Sequence, residues 1–315
     1  MKWIILDRCT ITKGDMDLTP LDALGEVKYF DILKKEEIIK EAAGADGIIC
    51  NKAVIDREIM EKTGIRYVGL FATGYNNIDC TAASELGLCV CNVPGYSTDS
   101  VTQLTFSLLL QLAGSTADYT ASVARGDWVK SKQFSYFSYP ITELAGKTLG
   151  IFGLGTIGQA VAKVGLAFGM KVIACTRTPK NLPNITEVDK ETLFRKSDFL
   201  TVHSPLTPET ANLINAKTLK WMKPTAYLIN TSRGGVIDET ALAEALRNGR
   251  IAGAGLDVLC EEPMAETCPL RGVPHLLITP HIAWAATETR TRLIGLVAEN
   301  AKAFMQGKPI NKVNK

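Results

Sequence analysis

The stretch Leu149-Gly-Ile-Phe-Gly-Leu-Gly-Thr-Ile-Gly158 decides the fold of the second half of this chain. It begins as an apolar, β-favouring run, turns into the spacing G-x-G-x-x-G, and continues with a helical pattern of apolar residues. Strand, glycine turn and helix together are the context in which this spacing binds a dinucleotide, because the helix start offers unpaired N–H groups to a pyrophosphate. A glycine turn without a ligand is the alternative interpretation. The predicted cofactor-binding residues here are Gly153, Gly155, Thr156, Ile157 and Gly158.

Length and charge restrict the class of protein. With 315 residues the chain is too long for one ordinary hydrophobic core, so two domains are expected. Lys and Arg total 35 against 33 for Asp and Glu, a net charge of +2, which gives no strong field to attract nucleic acid or an anionic membrane. No apolar run reaches the roughly 18 residues of a transmembrane helix. The N-terminus is charged too early to be a signal peptide and is predicted to be a buried strand.

The eight cysteines are scattered, mostly within apolar strands, and none forms a C-x-x-C pair. Cysteines in such a pattern act as small buried hydrophobic residues in a reducing compartment. We therefore expect a cytoplasmic location and no metal site.

Short apolar strands alternate with helices along both halves of the chain. Strands are predicted at 2–6, 45–50, 67–70 and 88–92, and then at 149–152, 171–175, 200–203, 226–230, 251–258 and 276–279. Helices are predicted at 18–24, 35–42, 55–60, 80–86, 100–113, 156–168, 240–248 and 287–306. This alternation predicts parallel sheets covered on both faces. We expect a dinucleotide-binding domain at 99–286 and a smaller, discontinuous substrate domain at 1–98 and 287–315.

Two segments lie outside this alternation. Residues 128–139 are rich in Trp, Phe and Tyr without a clear period, which favours a dimerisation arm over a packed loop. A homodimer is therefore expected. The polar tail at 308–315 is expected to fray.

Histidines are the first candidates for acid–base chemistry, because only this side chain titrates near neutral pH without a large perturbation. His281, in Thr279-Pro-His-Ile-Ala-Trp284, ends a predicted strand and is the best candidate. His203, in Val202-His-Ser-Pro-Leu-Thr-Pro208, ends another strand, where it either borders the cofactor or simply packs. His275 lies in a proline-flanked loop and is expected to be structural.

A histidine that holds a proton at neutral pH needs a neighbouring carboxylate. The sequence offers Asp257, Glu261 and Glu262, and leaves the choice open. A carboxylate substrate needs a cation, for which the planar fork of arginine is best suited. Arg233, in Asn230-Thr-Ser-Arg-Gly-Gly-Val-Ile-Asp238, follows a strand and precedes two glycines. Asp238 is expected to cap the next helix.

Two strand ends of the first domain are further candidates, because open α/β sheets bind ligands at the carboxyl ends of their strands. Lys52 follows one strand, and the loop at 71–77, which contains Ala72, Thr73 and Gly74, follows another. The alternative is an ordinary loop with a solvated lysine.

Taken together, these motifs resemble the D-2-hydroxyacid dehydrogenase family over essentially the whole chain. They are the glycine turn at 153–158, His203-Ser-Pro-Leu-Thr207, Asn230-Thr-Ser-Arg-Gly-Gly235, Gly255-Leu-Asp-Val258, Glu262-Pro263 and Thr279-Pro-His281. The resemblance implies that Arg233 binds the substrate carboxylate and carbonyl, that Glu262 pairs with His281, and that His281 donates a proton. It also implies that Asp257 lies near a nicotinamide ring and that backbone groups of residues 72–74 help to hold the carboxylate.

Within the family, the motifs at 72–77, 92–96 and 281–284 resemble the glycerate dehydrogenase (hydroxypyruvate reductase) branch. This implies a Rossmann domain inserted into a flavodoxin-like substrate domain, and reduction of hydroxypyruvate or glyoxylate to the D-2-hydroxy acid with NAD or NADP. A D-lactate-type dehydrogenase and a nucleotide-sensing binding protein are the alternatives.

Trp284 either lines the substrate pocket or packs in the core. Further expected cofactor contacts are Thr176, Arg177, Thr178, His203, Ser204, Pro205, Thr231, Ser232 and Asp257.

The sequence departs from the pattern at the ribose-binding position. NAD-selective sites place a carboxylate about 20 residues beyond the glycine turn, but residues 171–186 contain no Asp or Glu. Thr176, Arg177 and Thr178 stand there instead. We expect NADP to be used at least as well as NAD; the alternative is that Arg177 points to solvent and the site accepts either.

Overall fold

The chain forms two compact units in the computed structural model, which describes residues 1–314. One unit contains Met1–Ser97 and Ala285–Lys315, and the other contains Thr98–Trp284. Each unit holds one parallel β-sheet. The two parallel α/β domains predicted from the sequence are thereby confirmed, and the smaller one is discontinuous in the chain.

The smaller unit is built on a five-stranded sheet of order β2-β1-β3-β4-β5, which is the flavodoxin-like order. Its strands are β1 (Lys2–Ile5), β2 (Glu26–Tyr29), β3 (Gly47–Cys50), β4 (Tyr67–Leu70) and β5 (Cys89–Cys91). Its helices are α1 (Thr19–Asp22), α2 (Lys35–Glu41), α3 (Arg57–Thr63), α4 (Cys80–Glu85) and the C-terminal α12 (Thr287–Met305). The inner strands β3 and β4 are buried at every position, as expected for a sheet covered on both faces.

The larger unit is built on a seven-stranded sheet of order β12-β11-β10-β9-β6-β7-β8. Its strands are β6 (Thr148–Phe152), β7 (Lys171–Cys175), β8 (Ile185–Glu187), β9 (Phe199–Val202), β10 (Tyr227–Asn230), β11 (Gly253–Leu256) and β12 (Leu276–Ile278). Its helices are α5 (Thr98–Gly114), α6 (Thr116–Ala124), α7 (Asp127–Lys130), α8 (Thr156–Ala167), α9 (Lys190–Lys196), α10 (Ala216–Leu219) and α11 (Glu239–Arg247). The strand order reverses between β6 and β9, as in the Rossmann fold, and a dinucleotide binds at such a reversal.

Small residues allow α8 to pack directly on β6. A Cβ atom on Gly158 would lie 2.1 Å from the carbonyl oxygen of Gly153, and one on Gly165 would lie 2.4 Å from a methyl of Leu149. Both positions therefore require glycine. The third glycine of the fingerprint thus allows the helix to pack close to the strand.

The sequence does not predict two strands at the sheet edges, β2 and β8. In β2, exposed residues alternate with partly buried ones, and the strand contains Glu26 and Lys28. Edge strands carry such charges because they are only half covered, so the apolar signal of a buried strand is missing. The helix predicted at 55–60 begins later, at Arg57, because the side chain of Asp56 accepts a hydrogen bond from Ile59 N and caps it.

The expectation that the C-terminal tail frays is wrong for residues 311–314; Lys315 lies outside the described residues. Val313 N donates to Val90 O at 2.8 Å, and Asn92 N donates to Asn311 O at 3.2 Å. The buried Asn314 side chain accepts from Val90 N and donates to Leu88 O. The tail thus covers the free edge of β5, which would otherwise expose unpaired backbone groups.

The aromatic segment at 128–139 begins within α7, continues beyond it and is largely exposed. Phe134 is 91% and Phe137 83% exposed, and Trp128 Nε1 donates to the carbonyl oxygen of Phe134. Among residues 1–314, no helix is both long and apolar enough to cross a membrane.

Candidate active site

The carboxyl edge of the larger sheet carries most of the predicted functional residues. Each of six strands, taken along the sheet from β12 to β7, is followed by one of them: His281, Asp257, Arg233, His203, Gly153 and Thr176. Because parallel strands end at the same edge, these residues share one side of the unit. The first three follow the neighbouring strands β12, β11 and β10.

His281 pairs with Glu262. Its Nδ1 atom lies 2.6 Å from Oε2 of Glu262, and the two side chains are 25% and 33% exposed. The other carboxylate oxygen accepts a hydrogen bond from Leu259 N at 3.0 Å, which fixes the carboxylate. Of the three acids that the sequence leaves open, Glu262 is the one in hydrogen-bond contact with the imidazole. Since Nδ1 faces this acid, Nε2 is the nitrogen that can carry a proton to a substrate.

Asp257 holds the turn on which His281 lies. Its Oδ1 accepts from Thr279 Oγ1 and Ile282 N, and its Oδ2 accepts from Ala283 N at 2.8 Å. Its carbonyl oxygen accepts from His281 N at 2.8 Å. Burial raises the pKa of Asp257, and these hydrogen bonds oppose that rise. The predicted contact of Asp257 with nicotinamide stays a prediction; what the structure adds is its hold on the histidine turn.

Arg233 lies on a turn shaped by Asn230, the last residue of β10. Asn230 Oδ1 accepts from Ser232 N and from the Ser232 hydroxyl, while its Nδ2 donates to Arg233 O at 2.9 Å. The Thr231 hydroxyl is 3.0 Å from that of Thr105 on α5. The sequence does not identify Asn230 or Thr105 as site residues. An amide at the end of an apolar strand is the available sequence signal for Asn230, whereas Thr105 has no local signal.

The Arg233 turn and the Glu262 loop touch at Gly234. A Cβ atom on Gly234 would lie 1.9 Å from the carbonyl carbon of Leu259, so only glycine fits. On the other side of the loop, Glu239 Oε1 accepts from Cys260 N at 2.7 Å. The neighbouring Asp238 caps α11 through Ala241 N, as the sequence predicts.

The glycine turn after β6 fits a dinucleotide. Gly153 has φ 97° and donates to Cys175 O at 2.9 Å, and its Cβ would lie 2.6 Å from His203 O. A Cβ on Gly155, by contrast, would meet nothing within 4 Å. Open space at this position, directly before the first turn of α8 with Thr156 and Ile157, lets a pyrophosphate approach the N–H groups.

The loop after β9 presents two buried polar atoms to the same region. His203 Nε2 and Ser204 Oγ have no hydrogen-bond partner within the described part of the chain. Burial lowers the pKa of His203 to about 4, so this imidazole is neutral at pH 7. Buried polar atoms are nearly always paired, so these two atoms point to a ligand beside the glycine turn. The following Pro205 is exposed.

The loop after β7 borders the glycine turn on its other side. Arg177 and Thr178 are exposed, and the Thr176 hydroxyl donates to Thr178 O at 3.3 Å. The nearest acid in sequence, Glu187, accepts from the N–H groups of residues 180 and 181, so its carboxylate is occupied by the backbone. A hydrogen bond from Thr207 lowers the pKa of Glu209, and the charge of Arg177 adds to this effect.

The remaining predicted substrate contacts lie in the smaller unit, apart from Trp284, which is partly buried at the end of the larger one. Lys52 is exposed after β3, and Ala72, Thr73 and Gly74 follow β4. The Thr73 hydroxyl donates to Val93 O, and Asn92 Nδ2 donates to Thr73 O. The roles of all these residues stay predictions.

Comparison with known proteins places this geometry in a family. Residues 106–283 match the model of the D-isomer specific 2-hydroxyacid dehydrogenase, NAD binding domain. A hydroxypyruvate reductase of Blautia hydrogenotrophica is 39% identical over 100% of both chains. A glycerate dehydrogenase of Methylorubrum extorquens is 42% identical over 91% of each. Among solved structures, an acyclic imino acid reductase in complex with NADPH and D-arginine superposes with a TM-score of 0.89 at 31% identity, covering 99% of this chain and 100% of that one.

Proposed function

The chain belongs to the D-isomer specific 2-hydroxyacid dehydrogenase family and is therefore an oxidoreductase with a nicotinamide cofactor, and we propose that it reduces hydroxypyruvate or glyoxylate to the D-2-hydroxy acid. The observation that carries the proposal is the contact between His281 Nδ1 and Glu262 Oε2 at the carboxyl edge of a dinucleotide-binding sheet. The relatives named hydroxypyruvate reductase and glycerate dehydrogenase support this choice of substrates.

In this proposal each residue of the chain has a defined task. The nicotinamide, when bound, supplies the hydride that reduces C2 of the keto acid. His281 donates its proton to the carbonyl oxygen of the substrate, and Glu262 stabilises the imidazolium before the transfer. The guanidinium of Arg233 binds the carboxylate of the substrate as a planar fork and polarises the carbonyl. Lys52, Trp284 and residues 72–74 supply the further substrate contacts.

The cofactor is proposed to lie along the edge from β12 to β7. Its pyrophosphate binds the backbone of the glycine turn and the start of α8, where Gly155 leaves open space. His203 and Ser204 pair their buried atoms with it. The other residues proposed to hold it are Thr156, Ile157, Thr176, Arg177, Thr178, Pro205, Thr231, Ser232 and Asp257.

The cofactor preference is a finer proposal. We propose that NADPH is used at least as well as NADH, because residues 171–186 contain no acid and Arg177 stands one residue past the position where NAD-selective sites hold one. An arginine on the 2′-phosphate strengthens binding about ten- to a hundredfold through a charge-assisted bond. The solved relative with bound NADPH indicates that this fold accepts a 2′-phosphate.

A substrate panel tests the function. Hydroxypyruvate, glyoxylate, pyruvate, 2-ketobutyrate and phenylpyruvate are each offered with NADH and with NADPH, and initial rates are followed by nicotinamide absorbance. We expect the highest kcat/KM with hydroxypyruvate or glyoxylate. A preference for pyruvate or a bulkier acid would favour a D-lactate-type enzyme instead. Nucleotide binding without turnover of any keto acid would contradict the proposal.

We further propose that the enzyme is a cytoplasmic homodimer. Val129, Phe134 and Phe137 are 90%, 91% and 83% exposed on one segment, and an apolar arm of this kind is expected to be covered by a second copy. All eight cysteines are free thiols, which suits a reducing compartment.

A further inference from the structure

The backbone N–H groups of the loop that carries Lys52 bind one buried carboxylate, which follows a neighbouring strand. Asp7 follows β1, which pairs with β3 in the sheet, and its side chain reaches the loop after β3. Oδ1 of Asp7 accepts from Asn51 N at 2.9 Å, and Oδ2 accepts from Lys52 N at 2.6 Å and from Ala53 N at 2.7 Å. Three successive N–H groups thus converge on one carboxylate, and Asp7 is only 4% exposed.

The carbonyl side of the same loop is held from another direction. Asn77 Nδ2 donates to Ala53 O at 2.7 Å and to Asn51 O at 3.4 Å. The side chain of Asn51 donates in turn to the Thr10 hydroxyl at 3.0 Å. Because its three N–H groups and the carbonyl oxygens of Asn51 and Ala53 are paired, this loop has little freedom, and the Cα atom of Lys52 is fixed at the carboxyl edge of the sheet.

The backbone of Asp7 requires a particular kind of residue. Its φ is 47°, in the left-handed region that aspartate and asparagine tolerate better than most other residues. Burial raises the pKa of its carboxyl group, and the three N–H donors together with the charge of Lys52 oppose that rise. The hydrogen bonds from the N–H groups of the loop therefore stabilise the buried carboxylate of Asp7.

We infer that Asp7 is a positioning residue: it fixes the backbone of residues 51–53 so that the Lys52 ammonium group is presented to the carboxylate of a 2-keto acid. This inference rests on the proposed function. The competing effect has the opposite sign, because a carboxylate near Lys52 also weakens its attraction for an anion. Positioning predicts that loss of Asp7 raises KM for the keto acid, whereas a counter-charge role predicts that it lowers KM.

The test is Asp7→Asn in the full chain. Asparagine keeps the left-handed backbone but turns one acceptor oxygen into an amide N–H₂ that faces N–H donors. We expect KM for hydroxypyruvate to rise about tenfold, since small misplacements of a binding group have effects of this order or larger. We expect kcat to stay within about twofold, because Lys52 acts in binding. The dissociation constant for NADPH, measured by nicotinamide fluorescence, should not change.

Asp46→Asn is the matched control. Asp46 also joins a strand start to a loop, accepting from Lys2 N and from Arg66, but it lies at the amino ends of the same strands. The Asp46→Asn variant should leave KM for hydroxypyruvate unchanged. Where Asp7→Asn gives too little folded protein, Asn77→Ala removes the hydrogen bonds on the other side of the loop and should raise KM in the same direction.

A double-mutant cycle separates positioning from general destabilisation. In a Lys52→Met background the ammonium group is already gone, so adding Asp7→Asn should change KM by less than about twofold if Asp7 acts through Lys52. An equal rise of KM in both backgrounds, or an unchanged or lowered KM in Asp7→Asn alone, would overturn the inference. If the wild-type enzyme turns over no keto acid, it is the proposed function that fails, and the two failures are thus distinguishable.

Discussion

At the scale of single residues, hydrogen bonds determine the position of the candidate acid–base group, His281, and local conformational preference does not. His281 has φ 55°, a conformation that few residues other than glycine adopt. The carboxylate of Asp257 binds the two N–H groups that follow His281, and the Asp257 carbonyl binds His281 N. These bonds hold the turn, and the turn brings Nδ1 to Glu262.

The pH dependence of Glu262→Gln tests the pairing. Keto-acid reduction consumes a proton from His281, so activity falls at high pH as the imidazolium deprotonates. Without the carboxylate, Nδ1 of His281 has lost its ion-pair partner, and the alkaline limb of the kcat/KM profile should move to lower pH. Glu261→Gln, at the exposed neighbouring position, is the control and should leave the limb in place. An unmoved limb in Glu262→Gln would transfer the role to another carboxylate, with Asp257 the first candidate.

Arg177→Ala tests the cofactor proposal at the same scale. KM for NADPH should rise about tenfold while KM for NADH stays within about twofold, because only NADPH carries the 2′-phosphate that the guanidinium would bind. Lys171→Ala, which removes an exposed cation at the opposite end of β7, should change neither value. A wild-type enzyme that prefers NADH more than about tenfold would refute the proposal, whatever the variant does.

At the scale of elements, substitutions at two glycines of the larger unit distinguish a role in packing from a role in nucleotide binding. Gly234→Ala should destabilise the fold by about 2 kcal/mol or more, because its Cβ would overlap the backbone at Leu259. Gly155→Ala should fold normally, since its Cβ meets nothing within 4 Å, but it should weaken nucleotide binding at least tenfold by occupying the space that the pyrophosphate needs. Urea unfolding and NADPH fluorescence measure the two effects. The reverse result, a stable Gly234→Ala and a Gly155→Ala with normal affinity, would contradict both assignments.

The same scale shows how far the sequence predicts this molecule. Buried strands such as β6 and β9 are predicted because most of their residues on both faces are apolar. The glycine turn is predicted because each glycine in its spacing has a physical role. The edge strand β2 escapes prediction, because half of each edge strand is solvated and the apolar period is lost. The pairing of the tail with β5 escapes it as well, because it joins residues more than two hundred positions apart, as Asn314 and Val90 are.

The features of the candidate site also divide into those that the sequence predicts and those that it does not. Arg233 and His281 are predicted because strand ends, glycines and residue types mark them locally. Glu262 is selected over Asp257 and Glu261 only by the resemblance to the family. The hold of Asp257 on the histidine turn, and that of Asp7 on the Lys52 loop, are not predicted, since both consist of contacts between segments distant in sequence. Long-range hydrogen bonds of this kind leave no local pattern.

At the scale of the whole molecule, the aromatic segment at 128–139 leads to a prediction about assembly. Replacing both Phe134 and Phe137 with serine should convert a dimer into a monomer, because it removes the two most exposed aromatic side chains of the arm. Light scattering after size exclusion measures the mass. The control is Ile32→Ser, an exposed apolar residue of the smaller unit, which should leave the mass unchanged. A monomeric wild-type protein would exclude the arm interpretation.

The central claim, that this protein reduces a 2-keto acid with His281 as the proton donor, is tested most directly by turnover of hydroxypyruvate with NADPH in the wild type and in His281→Ala. We expect steady turnover to D-glycerate in the wild type and a loss of kcat of about 100- to 10,000-fold in the variant, the usual effect of losing a general acid. NADPH binding, measured by fluorescence, should be retained in both. Near-normal turnover in folded His281→Ala would contradict the assigned mechanism, and no turnover in the wild type would contradict the function itself.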